Sequence, residues 1–541
     1  MVGLPKAGSR GHRFAPRSLA LLLALCSEAT ADVTCASRSL LQKHSDVGAA
    51  AAASQAAPYS AVDVAIVGAG YAGLSIAREL QKANVSFRLF EARHRIGGRI
   101  LDEDLNKQGQ ADDVIELGGQ WLHDTHAGVL TLLKDLGFEL YEPGQQAGWE
   151  KFPCGGSCPD RVTTSQGWMS ASTMHGKVVV PMTMEETTAF EEALAAVFED
   201  ISNTPCTEPL SHPKAKLFDS LSYDAYLRDY HKLDAFPNVQ SKLADQCLEA
   251  EAAKHISALH CLWKASCNGG LRTGGVQYRV RGGPQAPLRR LAAQLPNAAL
   301  HLGVAVSAIK QNEHHRDLKV LVTNTSEEVL AKHVVLAGLP PHQILGIQFE
   351  PKLPEEVVQL LHGLSLGSIR KYSLVYKTPW WRAKGYSGSL RYVNYSLPSL
   401  DAQRCFDNSP YSGSHGVLTC MTTGDVNRGL QALSKEVRLE ALESMVHEAL
   451  GSPEKEDGFP RVVEKDWSED ARSGGANVFY SPGAFATSWP GTSKVFFHHR
   501  LDNSIWIAGA DYSNTSHGYM DGAIRTGQAV ARLLVQKLHA S

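Results

Sequence analysis

The stretch that most restricts how this chain can fold begins at Val62. Val62-Asp63-Val64-Ala65-Ile66-Val67 is apolar and rich in β-branched residues, the pattern of a strand buried on both faces of a parallel sheet. It leads into Gly68-Ala69-Gly70-Tyr71-Ala72-Gly73, a GxGxxG turn, and then into a segment with Leu74, Ala77 and Leu80 on one helical side. A second strand, Phe87 to Phe90, ends at Glu91. Gly68 permits the tight turn, Gly70 lets backbone approach a pyrophosphate, and Gly73 lets helix pack closely on strand. The helix N-terminus offers free N–H groups and a positive dipole end to phosphates. Glu91 is placed to accept hydrogen bonds from ribose hydroxyls. Strand, turn, helix, strand and acid in this order imply a dinucleotide site in an α/β fold. They do not separate NAD from FAD.

The next residues do. Glu91-Ala92-Arg93-His94-Arg95-Ile96-Gly97-Gly98-Arg99 continues directly from the acid. Here the chain resembles the flavin amine oxidases, whose pattern is EAR-x-R-x-GGR. The resemblance implies FAD as cofactor, with Gly98 and Arg99 against its pyrophosphate and Arg95 as the matching upstream arginine. It also implies cofactor contacts for Tyr71, Ala72, Ala92 and Arg93. Val114-Ile115-Glu116-Leu117-Gly118-Gly119-Gln120-Trp121 matches the family's D-x-G-G strand and turn, adding Gly118, Gly119, Gln120 and Trp121 to the expected cofactor contacts; Glu116 stands where aspartate is usual.

The likeness runs from about Val62 to Leu538 and is closest to the monoamine oxidase branch. Arg281-Gly282-Gly283 resembles a return to the FAD domain, and Leu302 to Ile309 a strand whose Val306 contacts the adenine side. Lys332 to Ala337 reads as a buried strand, and Phe349-Glu350-Pro351-Lys352-Leu353-Pro354 resembles the family's proline turn. Leu366-Gly367-Ser368-Ile369-Arg370-Lys371, with Tyr376-Lys377-Thr378-Pro379-Trp380-Trp381-Arg382, resembles LGS-x-x-K…YK-x-P-[FW]-W. That match makes Lys371 the lysine that holds a water against flavin N5; without it, Lys371 would read as a solvated strand lysine. Ile505 to Asp511 resembles the strand ending AG-x-E, so Gly509 and Asp511 are expected at the cofactor. His517-Gly518-Tyr519-Met520-Asp521-Gly522-Ala523 resembles GYMEGA, placing Tyr519 and Met520 where a helix starts toward the flavin.

Three departures stand out. Where the monoamine oxidases have SGGCY, this chain has Ser473-Gly474-Gly475-Ala476-Asn477. Ala476 has no thiol for a covalent flavin link, so FAD is expected to be non-covalent. Asn477 replaces one wall of the aromatic cage whose other wall matches Tyr519, leaving Trp467 as a candidate substitute. With little sequence after its last helix, the chain is also expected to lack the membrane-anchoring tail of the animal enzymes.

Composition bounds the rest. With 43% hydrophobic residues, 20% charged residues and a net charge of −3 over 541 residues, the chain is globular, with no electrostatic reason to bind nucleic acid or an anionic membrane. Residues 1–31 carry basic residues, an apolar run from Leu19 to Cys26 and Ala29-Thr30-Ala31, which reads as a secretory signal; an Arg-rich, acid-poor transit peptide is the alternative. Residues 32–60 read as an Ala/Ser-rich linker. No permanent membrane span is expected. Cys154 and Cys158 suit a small disulfide loop or two free thiols, and Asn84, Asn324, Asn394 and Asn514 start glycosylation sequons that matter only in a secreted chain. No metal-ligand spacing is found.

The expected fold is therefore a two-domain α/β FAD-dependent amine oxidase fold, a Rossmann-like FAD domain plus a mixed α+β substrate domain. The FAD domain is assembled from 61–141, 277–348 and 471–541, and the substrate domain from 142–276 and 349–470. The resemblance implies oxidation of an amine C–N bond to an imine, then aldehyde or ketone plus ammonia or amine, with O2 reduced to hydrogen peroxide. The partners are then a small-molecule amine and O2, with the oligomeric state open. An L-amino-acid oxidase, needing a cation such as Arg272 or Arg279 for the carboxylate, is one alternative. A polyamine oxidase using Glu185-Glu186 or Glu191-Glu192 near its entrance is a second, and a non-catalytic FAD-binding protein a third.

Overall fold

The computed structural model describes residues 61–540, apart from 107–111, 145, 147–157, 165–166, 172, 175–176, 179–182, 245–246, 248–249, 269–277, 393–402 and 454–459. The expected signal and linker, Cys154, Arg272 and Asn394 lie outside the described residues.

The Val62–Val67 strand sits inside an eight-stranded sheet. It pairs in parallel with Phe87–Glu91 on one side and Glu328–Ala337 on the other; Leu300–Leu302 and Ile505–Ala508 extend the parallel part. Lys319–Thr323, Val306–Gln311 and Gln348–Glu350 complete the sheet. Alternation along these strands feeds two separate cores. Val64, Ile66, Val335 and Trp506 pack on one face with Leu74, Ile76 and Leu80 of the Tyr71–Lys82 helix and Ile524, Val530 and Leu534 of the Met520–Ala540 helix. Ala65, Val67, Val334, Leu336 and Ile507 pack on the other with Phe218, Tyr226, Trp263, Phe485 and Phe496. Burial on both faces explains why these strands are continuously apolar, each large aliphatic side chain contributing about 1.5–3 kcal/mol. The two helices touch backbone to backbone at Gly527, where a Cβ would lie 2.7 Å from the Ala72 carbonyl oxygen.

The stretch Leu302 to Ile309, expected as one strand, is two. Gly303 takes φ +75° and turns the chain between Leu300–Leu302 and Val306–Gln311, its N–H donating to Arg93 O.

A second, seven-stranded sheet runs in the order Arg461–Asp466, Ile369–Tyr376, Gly416–Thr423, Gln403–Asp407, Leu390–Tyr392, Asp160–Thr164, Gly167–Ala171. Helices between Met184 and Cys267 carry Phe218, Tyr226 and Trp263 into the core on the first sheet, tied by disulfides Cys206–Cys267 and Cys247–Cys261; Cys405–Cys420 bridges two paired strands of the second sheet. The sequence pattern pointed to none of these three bridges, because cysteine spacing carries no pairing information.

Candidate active site

The parallel strands Val62–Val67, Phe87–Glu91, Glu328–Ala337 and Ile505–Ala508 all end at one edge, where ligands collect in such sheets. A cavity of about 440 Å³ opens there and continues to Lys371 and Tyr519. Gly68 has φ +108°, and a Cβ on it would lie 2.2 Å from Ala337 O; one on Gly73 would lie 1.9 Å from Gly68 O. Both glycines set the turn; Gly68 also lines the cavity, and Gly73 is not among the described lining residues. Gly70 and Gly98 have room beside them: a Cβ there meets nothing nearer than 3.8 and 3.9 Å, and both residues line the cavity. Gly70 starts the Tyr71–Lys82 helix with no side-chain cap, leaving first-turn N–H groups for phosphate.

Glu91 closes the cradle. One carboxylate oxygen accepts from Ala69 N–H at 2.9 Å and the other from Arg93 N–H at 2.9 Å, fixing the glycine turn to the strand end. Arg93 is held by Asp470 at 2.6 Å and Ser473 at 2.9 Å. Ala92, Val306 and Met520 also line the cavity. Arg99 lines it too and forks onto Asp511 at 3.0 and 2.7 Å while donating to the Ala476 carbonyl. Asp511, fully buried, therefore orients Arg99, and neither Asp511 nor Gly509 is among the described lining residues. The glycine turn, uncapped helix and acid at the strand end fit the ADP half of a dinucleotide flavin.

At the far end the second sheet turns one face to the cavity. Side chains alternate along Ile369–Tyr376, so Ile369 and Lys371 line the cavity while Arg370 points away into Asp466, Glu464 and Glu469. Lys371 is 5% exposed. Its ammonium donates to Gln120 Oε1 at 2.5 Å, Gly118 O at 2.6 Å and Glu116 O at 3.3 Å, so its three donors meet three protein acceptors. Burial holds its pKa down, at about 8. Gln120 is held in turn by Asn408 at 2.7 Å. Gly118 and Gly119 line the cavity beside them.

The LGS segment acts through its backbone. Gly367 accepts from Ala476 N–H at 2.9 Å and donates to Asn477 O at 2.8 Å, locking the Ser473–Asn477 segment against the strand that carries Lys371. Trp380 and Trp381 are core, and Arg382 is a buried partner of Asp407. That part of the motif is a buttress for the site.

Tyr519, Trp467, Trp121, Tyr71 and Asn477 all line the cavity. Asn477 packs against the Gly518 backbone, next to Tyr519: a Cβ on Gly518 would lie 2.9 Å from Nδ2 of Asn477. The Trp467 indole donates to Leu117 O at 2.9 Å, which fixes its ring at the cavity wall.

The candidates for two alternative substrates, Arg279 and the four helix glutamates, are placed elsewhere. Arg279 is fully buried and forks onto Glu116 at 3.2 and 2.6 Å, so it serves the wall and not a ligand. Glu185, Glu186, Glu191 and Glu192 sit on the Met184–Ser202 helix away from the cavity lining, Glu186 closing a capping box with Thr183. Conversely, Glu251, Arg404, Met421 and Thr423 line the cavity without any motif to announce them. Arg404, Met421 and Thr423 come from strands that only the second sheet aligns, and Glu251 from a bend held by Arg428.

Comparison with known proteins agrees with this geometry. The family model described as flavin containing amine oxidoreductase matches residues 71–535. Flavin-containing amine oxidase B of Homo sapiens is 26% identical over 483 residues, covering 88% of this chain and 86% of its own length. The flavin-containing amine oxidase of Danio rerio is 27% identical over 505 residues, covering 89% and 88%. Among solved structures, a putrescine oxidase bound to putrescine matches with TM-score 0.75 at 24% identity over 88% of this chain and 99% of that one. Cyclohexylamine oxidase from Brevibacterium oxydans matches with TM-score 0.75 at 22% identity over 89% and 100%.

Proposed function

Because this chain belongs to the flavin-containing amine oxidoreductase family and is a flavin-dependent amine oxidase, we propose that its flavin is FAD, held without a covalent bond, and that O2 is its electron acceptor. The observation that carries FAD is the cradle: Gly70, Gly98, Glu91 and the uncapped Tyr71 helix start are built for an ADP moiety. Non-covalent binding rests on Ala476, which lines the cavity with no reactive atom; no cysteine or histidine is among the described lining residues.

Bound there, FAD supplies a two-electron acceptor for the amine C–H and passes the electrons to O2, giving hydrogen peroxide. The protein's part is orientation and charge. Tyr519 and Trp467 offer apolar ring surface to hold a neutral amine, with Asn477 adding a polar group where the family has a second ring. Lys371 contributes a fixed positive charge at the reacting end, where negative charge grows on oxygen. With its three donors already engaged, it acts through that charge, and it holds a water only by giving up one of these acceptors.

We also place the chain in the secretory pathway, supported by the signal-like residues 1–31 and the three disulfides, which persist in oxidising compartments. The exposed Asn84 and Asn324 then become sites for glycans. No described helix is long and apolar enough to cross a membrane.

One experiment tests the cofactor reading. Acid precipitation of the purified holoprotein should release the yellow colour to the supernatant with the mass of FAD, and anaerobic amine should bleach the native protein until air restores it with peroxide. Colour that stays with the pellet would refute non-covalent binding, and FMN in the supernatant would refute FAD.

A further inference from the structure

The acceptors of Lys371 depend on two stretches of chain, and one buried side chain grips both. Glu116 O and Gly118 O belong to the Val114–Glu116 strand and the turn after it, while Gln120 Oε1 is kept in place through Asn408, which bonds the Gln120 amide at 2.7 Å. Arg279 reaches both stretches. Its Nε and Nη2 donate to the Glu116 carboxylate at 3.2 and 2.6 Å. Its guanidinium also donates to Ser409 O at 3.0 Å and Asn408 O at 3.4 Å. A planar guanidinium can hold a carboxylate and two carbonyls at once in fixed directions, which a lysine cannot.

Glu116 thus receives two cations, Arg279 on its carboxylate and Lys371 on its carbonyl. The Arg279 and Glu116 side chains are each 1% exposed, and neither residue is among those described as lining the cavity. A buried ion pair is by itself weak evidence for stability, so the question is what this one holds. It holds the wall directly behind the Lys371 ammonium.

We propose that Arg279 is the positioning residue for Lys371, gripping Glu116, Asn408 and Ser409 so that the acceptors of the ammonium stay in register, and that with Glu116 it sets the field in which that ammonium stands. This deepens the reading of Lys371 as the charge at the oxygen step and rests on it. Burial pulls the Lys371 ammonium toward neutrality, the Glu116 carboxylate keeps it charged, Arg279 opposes it, and Asp102, the cross-strand partner of Glu116, supports it. On the sheet that carries Lys371, the adjacent Lys465 is bound to Asp470 at 2.7 Å, and Arg404 stands two strands away.

The test is stopped-flow reoxidation of the holoenzyme by O2 from pH 6 to 10, after anaerobic reduction with stoichiometric dithionite, so that no amine is needed. In the unaltered enzyme the rate should fall as pH rises through about 8. Glu116→Gln removes the carboxylate that keeps the ammonium charged and should move that fall to lower pH by about one unit. Arg279→Met removes the opposing cation and should move it to higher pH by about as much. Arg279→Lys keeps the charge without the fork, so the fall should stay near its place while reoxidation at pH 7 slows about 10-fold. Lost stability alone would not move the profile in opposite directions for the two halves of one ion pair. The flavin spectrum and melting temperature of each variant identify a folding defect. Glu116→Gln and Arg279→Lys, which keep a hydrogen-bonding group in the pair, carry the test if Arg279→Met does not fold. Shifts of the same sign, an unmoved fall in Glu116→Gln, or Arg279→Lys reoxidised as fast as the unaltered enzyme would each overturn the proposal. A profile already flat in the unaltered enzyme would instead overturn the role of Lys371 beneath it.

Discussion

The two ends of the cavity are built in opposite ways. The nucleotide end is local: Val62 to Arg99 supplies strand, turn, helix and acid within one contiguous segment, and its specificity lies in backbone shape. The reacting end is assembled from Gln120, Glu251, Lys371, Arg404, Trp467, Asn477 and Tyr519, which come together only when both sheets have formed. The glycine turn tolerates no added side chain at Gly68 or Gly73, and its one fixing side chain is that of the nearby Glu91. A side-chain site tolerates sequence drift in its neighbours but depends on charge and on who holds whom.

That contrast can be broken first at Gly73. Gly73→Val puts a side chain 1.9 Å from Gly68 O, on backbone that cannot yield. A loss on the order of several kcal/mol and absence of copurifying flavin are expected, read from melting temperature and the flavin-to-protein absorbance ratio.

At the reacting end the effects should be kinetic. Lys371→Met is expected to slow reoxidation of the reduced enzyme by O2 about 100-fold, while its anaerobic reduction by amine changes far less. Below a pH of about 8 the Lys371 ammonium is charged and above it neutral, so in the unaltered enzyme reoxidation should weaken as pH rises through that value. Stopped-flow mixing with oxygenated buffer measures both; a flat profile from pH 6 to 10 would remove Lys371 from the oxygen step.

A finer cut is Gln120→Leu, which deletes the shortest acceptor of Lys371 and frees Asn408. With burial then less opposed, the ammonium gives up its proton more readily, and the alkaline fall in reoxidation should move to lower pH by about one pH unit. An unmoved profile would mean that Gln120 only fills space. The smallest effect is expected far from both ends. Thr183→Ala opens the capping box of the Met184–Ser202 helix, costing about 1 kcal/mol in thermal stability with kinetics unchanged.

How much of this could be read beforehand differs by region for the same reason. The Val62 strand, its glycine turn and Glu91 were legible because each residue's task is settled by neighbours within a few positions. Lys371 was legible through resemblance to a family pattern; a lone lysine in Ile369–Tyr376 reads equally as solvated, and only the alternation against the ion-paired Arg370 puts it inward. The strand expected over Leu302 to Ile309 failed at Gly303, whose positive φ ends one strand and starts the next. Arg279 read as a free cation until its partner Glu116, distant in sequence, came to lie at 2.6 Å. Arg404 had no signal, since nothing in Gln403–Asp407 says which face meets the cavity.

By itself, then, the sequence determined the dinucleotide cradle, the family to which the chain belongs and the absence of a thiol at Ala476, because short-range backbone geometry and residue chemistry settle them. Only the tertiary structure decided which charges line the cavity. Glu251 and Arg279 are neutralised by partners far away in the chain, while Lys371 and Arg404 are brought to one sheet face, and pairing between distant strands is what makes that choice.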